Sequence, residues 1–269
     1  MSALVAELEA GQFRRVRTLW AGMDVHLAVE SMLAGKTASR MFVDDVEAPR
    51  AAMTWSGHRL YLVGDVGGAG FGEELNRYAS THGQFVAYCS PEAIDSAEKL
   101  LSGYQVLRRG RLYYEGDPSQ VKAVEPPEGY AVERITGELL GRGLGHTDWV
   151  REEMCSERES VEEFLGKSFG FVAVHGGGEI ACWCMSEYNL GDRCEVGIET
   201  APGHRRRGLA VLVAGAMFRH AAGVGVGRVG WHCWADNAAS VATAEALGLG
   251  LVAEYPVLRV DATEPRPTL

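Results

Sequence analysis

Basic residues are in the minority in this chain. The sequence has 26 Lys and Arg against 36 Asp and Glu among 269 residues, a formal net charge of −10. A protein that binds nucleic acid through the phosphate backbone needs clustered cations facing those phosphates. We therefore expect no nucleic-acid partner, and the acidic balance favours a small or cationic one.

Long apolar runs and zinc-type cysteine pairs are also lacking. The longest apolar run, Gly208 to Phe218, is far short of the roughly 20 residues that cross a membrane. The first residues, MSALVAELEAGQF, are acidic where a secretory signal is basic. The six cysteines contain no C-x-x-C pair, so we expect reduced thiols and no metal site. These absences predict a cytoplasmic protein with no membrane partner.

One stretch has the composition of a linker. Between positions 116 and 129 the sequence reads GDPSQVKAVEPPEG, which is rich in Pro, Gly and charge and poor in apolar periodicity. We therefore predict an N-terminal α/β domain over residues 1–118, a linker over 119–128 and a second domain over 129–269. The predicted first domain begins with a helix over Phe13–Gly35 and ends with a hairpin of Tyr104–Leu107 and Arg111–Tyr114.

Both halves are expected to follow the same order of strands, helix, strand, helix and strand. In the second half, three strands are expected to end with Cys194–Thr200. A helix (Gly208–Ala222), a strand (Val229–Trp234), a helix (Ala238–Leu247) and a last strand (Leu251–Val260) are expected to follow. The shared order is compatible with an ancient duplication, and an unrelated α/β cap domain explains the first half nearly as well.

The chemistry is concentrated where the strand ending at Thr200 leads into the helix after Gly208. A helix N-terminus presents unpaired backbone N–H groups and about half a positive charge, which suits an anion. Gly208 lets a ligand approach the backbone closely, and the arginines at positions 205–207 add charge that pairs with phosphate. The segment is therefore predicted to be a phosphate cradle.

The pattern R-x-x-G-x-A, from Arg205 to Ala210, resembles the pyrophosphate-binding motif of the GNAT superfamily of N-acetyltransferases. The downstream pattern W-x-C-x-x-x-N-x-x-S-x-x-x-A-E-x-L-G, from Trp231 to Gly248, is similar to the second motif of that superfamily. The preceding E-x-G-I-E-T and the N-terminal SMLAGKTASRMFVDD resemble the zwittermicin-resistance-type branch. The resemblance implies a mixed, mostly antiparallel sheet flanked by helices in the second half. A degenerate copy of that fold is compatible with the smaller α/β first half.

The resemblance also implies how acetyl-CoA would be held as co-substrate. The backbone of Ile198 and Thr200, with Glu199 between them, would bind the pantetheine arm. The pyrophosphate would lie on the amides of a run of six residues, namely Arg205, Arg206, Arg207, Gly208, Leu209 and Ala210. Asn237 and Ser240 would lie near the pantetheine or thioester, and Asn237 is equally suited to cap the helix that follows it.

Superfamily members transfer the acyl group directly to an amine, which must first lose a proton. Carboxylates are unusual on a central strand, and Glu195 and Glu199, four residues apart, are expected to face the same side. We favour Glu195 as the base. A buried histidine is more often a packing residue, so His232 is a weaker candidate, and His204 is expected to face solvent.

The sequence leaves open which group protonates the departing thiolate. The superfamily often has a Tyr seven residues after the Asn, and here that position is Ala244. Cys233, Ser240 and Tyr255 are possible substitutes, and solvent is another source of the proton.

The sequence also leaves the identity of the acyl acceptor open. The sequence favours acetyl transfer to the amine of a small molecule by a monomer or homodimer. The alternatives are a protein N-acetyltransferase and a non-catalytic CoA-binding sensor of the same fold.

Overall fold

The computed structural model describes residues 5–68 and 70–265 of the chain. Its strands and helices, in chain order, are β1 (Ala6–Leu8), a 3-10 helix (Ala10–Trp20), α1 (Leu27–Leu33), β2 (Arg40–Val43), β3 (Ala51–Ser56), β4 (Arg59–Gly64), α2 (Gly72–His82), β5 (Gln84–Cys89), α3 (Ile94–Leu100), β6 (Tyr104–Gly116), a 3-10 turn (Pro118–Gln120), β7 (Tyr130–Arg134), α4 (Gly137–Leu140), α5 (Thr147–Met154), α6 (Val161–Lys167), β8 (Gly170–His175), β9 (Glu179–Leu190), β10 (Arg193–Thr200), a 3-10 turn (Pro202–His204), α7 (Leu209–Gly223), β11 (Arg228–Trp234), α8 (Ala238–Ala246) and β12 (Gly250–Pro265).

Contacts divide the chain into two compact units. The first contains the described residues as far as Arg111 together with those from Glu254 onward, and the second runs from Leu112 to Ala253. Each unit has a mixed sheet with helices packed on it, which confirms the predicted α/β fold class.

In the first unit the strand order is β1-β2-β3-β4-β5-β12. The pair β4 and β5 is parallel, and the other neighbours pair antiparallel. The parallel pair is connected through α2, as a parallel pair requires a crossover. Leu75 and Tyr78 of α2 are buried against the sheet residues Leu60, Leu62 and Ala87.

In the second unit the strand order is β6-β11-β10-β9-β8-β7. Strands β10 and β11 are parallel and are connected through α7, whereas β7, β8, β9 and β10 form antiparallel pairs. Both units thus have antiparallel strands, a crossover helix, a parallel strand and a further helix in the same order. That order supports the predicted duplication, which stays a prediction.

Two apolar clusters define the two faces of the second sheet. Helices α7 and α8 cover one face, which we call the α7 face, where the cluster includes Cys184, Val196 and Phe218. Helices α4, α5 and α6 cover the other, the α5 face, where Trp183 and Met185 belong to the cluster. Helix α7 is apolar all round, and it is correspondingly buried along most of its length.

Two predicted elements of the first half are wrong. The helix expected over Phe13–Gly35 is a 3-10 helix followed by α1, because Gly22, with φ 94°, breaks the chain direction between them. The hairpin expected around residues 104–114 is the single strand β6, which continues through Gly110. Helix α5 was not expected from the sequence.

The division into units differs from the boundaries expected at residues 118 and 129. The last residues of β6 belong to the second unit, while β12 starts in the second unit and ends in the first. The reason is the register of β12, in which Val257–Asp261 pair antiparallel with Tyr88–Gln84 of β5. The composition from which the linker was predicted carries no information about which strands pair.

No helix within residues 5–68 and 70–265 is long and apolar enough to cross a bilayer. Over the same residues, no group of three or more His, Cys, Asp or Glu side chains is arranged to hold a metal ion.

We predict that Gly64→Ala destabilises the protein far more than Gly35→Ala. Both glycines have positive φ, 75° and 68°, so alanine costs each about 1–2 kcal/mol of backbone energy. A Cβ on Gly64 would also lie 2.1 Å from the carbonyl oxygen of Arg50, whereas nothing lies within 4 Å at Gly35. Because that neighbour is backbone, relief requires β3 and β4 to move, at a further cost of about 1–3 kcal/mol.

Urea unfolding of the two variants measures the difference. Equal losses in the free energy of unfolding would contradict the steric explanation and leave φ strain as the only cost.

Candidate active site

Strands β10 and β11 lie side by side for only part of their length. Their pairs run from Arg193↔Arg228 to Val196↔Trp231, whereas the strands continue to Thr200 and Trp234. On its other edge β10 remains paired with β9 as far as Thr200↔Cys182. Beyond Val196 the two parallel strands therefore separate, and the backbone of residues 197–200 that faces away from β9 borders the gap.

A β-bulge lies at the same level as this separation. The register between β10 and β9 shifts between Glu195 and Val196, which pair with Tyr188 and Ser186 and leave Glu187 as the extra residue. A bulge bends the sheet and increases its local twist. The bend gives a physical reason for the loss of pairing with β11 at this point.

The loop before α7 has the geometry of an anion cradle. Residues 205–208 are exposed, and Arg206 and Gly208 have φ of 61° and 75°. The amide of Leu212 closes the first helical turn on the carbonyl of Gly208, so the amides of residues 209–211 are those that a helix leaves unpaired. The side chain of Leu209 is buried in the core, which leaves its backbone N–H as the group able to bind.

Arg205 ties this loop to the end of β10. Its Nε donates a hydrogen bond to the carbonyl of Thr200 at 3.1 Å. The structure thus brings together two sets of residues that the sequence singled out, the end of β10 with Ile198, Glu199 and Thr200, and the loop that starts at Arg205.

His204 does not face solvent as expected. Its side chain is 12% exposed, with Nδ1 2.7 Å from the Tyr130 hydroxyl and Nε2 3.0 Å from Glu179 Oε1. The ring of His175 also lies against it, with centroids 5.2 Å apart. The imidazole therefore anchors the turn before the cradle to β7, β8 and β9.

The two glutamates of β10 occupy the α5 face. Cys194, Val196 and Ile198 alternate with them and pack in the cluster under α7, so Glu195 and Glu199 point the other way, as expected. Glu199 is exposed and accepts a hydrogen bond from the Trp149 indole at 3.1 Å.

Glu195 has a different environment. It is only 3% exposed, and its Oε1 lies 3.2 Å from Nε2 of His232. The parallel register sets Glu195 beside Gly230, so His232, two residues on, reaches it from the neighbouring strand. Tyr113 of β6 stacks on the imidazole at 4.5 Å between ring centroids. Sequence reasoning missed Tyr113, because nothing local links β6 to β11.

The remaining predicted residues have structural contacts. Asn237 caps α8, its Oδ1 accepting from the Ser240 amide at 3.1 Å, and Ser240 Oγ accepts from the Trp231 indole at 3.0 Å. Cys233 is 4% exposed and belongs to the cluster under α7, as does the fully buried Ala244. Tyr255 lies in the first unit, where its ring packs edge-on against His26 at 4.9 Å.

A family model for GNAT acetyltransferases matches residues 18–258 of the chain. The chain belongs to the GNAT acetyltransferase family. A relative named "Uncharacterized N-acetyltransferase YdfB", from Bacillus subtilis (strain 168), is 25% identical over 262 residues, which are 95% of this chain and 98% of that protein.

Solved structures of GNAT proteins have the same fold. A GCN5-related N-acetyltransferase-like protein from Streptococcus suis 89/1591 superposes with a TM-score of 0.75 at 20% identity, covering 93% of this chain and 99% of that one. A GCN5-related N-acetyltransferase from Sphaerobacter thermophilus gives 0.62 at 16% identity, covering 99% and 96%. The protein is therefore an acyltransferase with the GNAT fold, and this fold family generally uses acetyl-CoA.

We predict that His204→Ala loosens the turn that leads into the loop before α7. The change removes two hydrogen bonds, each contributing about 1 kcal/mol, so the amides of His204 and Arg205 should exchange about tenfold faster or more. Hydrogen exchange followed by mass spectrometry measures the effect, with the exposed His58→Ala as control. Unchanged exchange over residues 202–208 would contradict the anchoring role.

Proposed function

We propose that the protein transfers the acetyl group of acetyl-CoA to a primary amine of a small molecule. The observation that carries the proposal is the separation of β10 and β11 beside the exposed N-terminus of α7. A gap between two parallel strands suits an extended pantetheine arm, and a helix N-terminus at the mouth of that gap suits a pyrophosphate.

The residues present fit acetyl-CoA. The amides of Arg205 to Ala210 would hold the pyrophosphate, and the exposed arginines would add charge-assisted hydrogen bonds. A Cβ on Gly208 would have no heavy atom within 4 Å, so the site is open to a ligand at that residue. The backbone of Ile198 and Thr200 would bind the pantetheine, with Glu199 between them. Asn237 and Ser240 would border it from the start of α8 while keeping their capping contacts.

Transfer requires a neutral amine. An alkyl amine with a pKa near 10.4 is neutral in only about one molecule in a thousand at pH 7, a handicap of about 4–5 kcal/mol. A group on the α5 face must therefore take its proton. Of the two glutamates on this face, Glu195 is better placed than Glu199 to contribute to this step, because it lies where the strands separate and is removed from bulk water.

The α5 face also suits a cationic acceptor. Glu199 accepts from Trp149, and Tyr188 donates a hydrogen bond to Glu157 from the same side of the sheet. Carboxylates next to aromatic rings attract an ammonium group through both charge and ring faces. This supports an acceptor that carries an ammonium group. The motif resemblance supports the zwittermicin-resistance-type branch.

For the thiolate we propose a proton from solvent. Of the three side chains considered, Cys233 is buried in the apolar cluster, Ser240 is engaged by the Trp231 indole and Tyr255 packs against His26. We therefore assign none of them to the proposed chemistry.

We expect acetyl-CoA to bind the wild-type protein with micromolar affinity in calorimetry. Arg205→Glu should weaken binding by at least about tenfold, since it places a negative charge beside the pyrophosphate. Gly208→Trp should do the same by filling the cradle and straining a residue with φ 75°. Arg14→Glu, an exposed site in the first unit, is the matched charge control and should bind as the wild type does. Absence of acetyl-CoA binding by the wild type would refute the assignment of the loop before α7 as a pyrophosphate site.

Release of CoA, followed with a thiol reagent over a panel of amines, tests the reaction itself. Cys155 is exposed, so the assay uses Cys155→Ser as its background. Burial raises the pKa of the Cys89, Cys182 and Cys194 thiols to about 12, which keeps them unreactive near pH 8. Release with small amines supports the proposal. Release only with peptides would favour a protein acetyltransferase, and binding without any release would favour a sensor.

A further inference from the structure

The buried carboxylate of Glu195 is not the group that an incoming amine meets first. Its side chain is 5% exposed and ends against the imidazole of His232, whose side chain is 13% exposed. The Oε1 to Nε2 distance is 3.2 Å. Of the two titratable groups, the imidazole is thus the more accessible, and the carboxylate lies behind it.

His232 also has the better position along the strand. The last residue of β11 that pairs with β10 is Trp231, so His232 is the first residue past the point of separation. Glu195 still lies within the paired segment, opposite Gly230. The imidazole therefore stands at the start of the gap that the proposed function assigns to the pantetheine arm of acetyl-CoA.

The ring is held in a fixed orientation. Tyr113 stacks on it at 4.5 Å with an interplanar angle of 26°, and the Tyr113 hydroxyl donates to Glu115 Oε2 at 2.9 Å. Burial raises the pKa of Tyr113, helped by the hydrogen bond to Glu115 and by the charge of Glu195, so the phenol stays protonated.

Gly230 makes this arrangement possible. A Cβ there would lie 2.9 Å from the Tyr113 ring and 3.1 Å from Cγ of Glu195. The absence of a side chain on β11 is what lets the tyrosine and the glutamate approach the imidazole together.

We infer that His232 accepts the proton of the amine, and that Glu195 is a positioning residue that orients the imidazole. The inference rests on the proposed function and deepens it. The carboxylate of Glu195 beside Nε2 stabilises the imidazolium that forms when the ring takes the proton.

The ammonium group of the acceptor gives one proton to the imidazole of His232, and the freed nitrogen lone pair attacks the thioester carbonyl carbon. As the C–N bond forms, the C–S bond breaks and its electron pair leaves on sulfur. The thiolate takes one proton from solvent, the acylated nitrogen loses one to solvent, and the imidazolium releases its own.

Several charged or titratable groups surround the imidazole. Glu195 faces it from β10, and Tyr113 faces it from β6. Glu115 accepts a hydrogen bond from Tyr113 and lies 3.7 Å from Arg228, while the charge of Arg193 lowers the pKa of Tyr113 against the other contributions. Removal of Glu195 takes away the carboxylate that contacts the imidazole directly.

The test compares pH profiles of kcat/KM for the wild type, His232→Gln, Glu195→Gln and the control His220→Gln, whose ring packs on Phe169 and Phe171 instead. We expect kcat/KM of the wild type to fall at acid pH as a single group takes up a proton, and we call this decline the acid limb. His232→Gln should lower kcat/KM by about 10²- to 10⁴-fold, and the activity that remains should show no acid limb. The profile of Glu195→Gln should still show the acid limb, at a lower pH than in the wild type. The profile and kcat/KM of His220→Gln should match those of the wild type.

Two further readouts exclude a merely structural role. Added imidazole should restore part of the activity of His232→Ala. In the wild type, the imidazole titration of His232 followed by NMR should have the same midpoint as the acid limb, a result that depends on no variant folding. Calorimetry with acetyl-CoA should give the same affinity for all four proteins.

The outcomes separate the two proposals. An active His232→Gln with its acid limb intact, or an NMR midpoint that differs from the limb, would overturn the inference while leaving acetyl transfer in place. A wild type that binds acetyl-CoA and releases no CoA with any amine would overturn the proposed function, and this inference with it.

Discussion

The pairing of β10 with β11 ends at Val196 and Trp231, and the proposed chemistry of this protein depends on that loss of backbone pairing. Two parallel strands that stayed paired to their ends would satisfy their own N–H and C=O groups and leave none for a ligand. The bulge at Glu187 of β9 lies at the same level, and a bulge bends its own strand and increases the local twist of the sheet. We attribute the separation of β10 from β11 to this irregularity in the neighbouring antiparallel pair.

The elements around the gap supply what a thioester substrate needs. Helix α7 is buried along its length, so its exposed N-terminus is held rigidly beside the end of β10. His204 and Arg205 fasten the connecting turn on both sides, one to Glu179 and Tyr130, the other to the carbonyl of Thr200. Rigid support of this kind lowers the entropic cost of holding two substrates in line.

Sequence reasoning located the cradle because its features are local. A strand, a Pro-Gly turn, three arginines and Gly208 follow one another, and a helix N-terminus binds anions wherever it occurs. The alternation that put Glu195 and Glu199 on one face is also local and was confirmed. The pairing of Glu195 with His232 was not readable, because it depends on the register of two strands whose partners are 37 positions apart.

The same limit explains why Tyr113 was missed and why the contacts of Tyr255 were not foreseen. Tyr113 precedes the proposed linker, yet it stacks on His232, while Tyr255 follows the second motif and belongs to the first unit. In both cases a long strand, β6 or β12, starts in one unit and ends in the other. Composition can mark a flexible connection, but it does not show where a strand will pair.

A crystal structure of the protein with acetyl-CoA tests the central claim most directly. The account predicts the pantetheine between β10 and β11, hydrogen-bonded to the backbone of Ile198 and Thr200, with the pyrophosphate on the amides of residues 205–210. Acetyl-CoA bound elsewhere, for instance at the loop before α2 in the first unit, would contradict it.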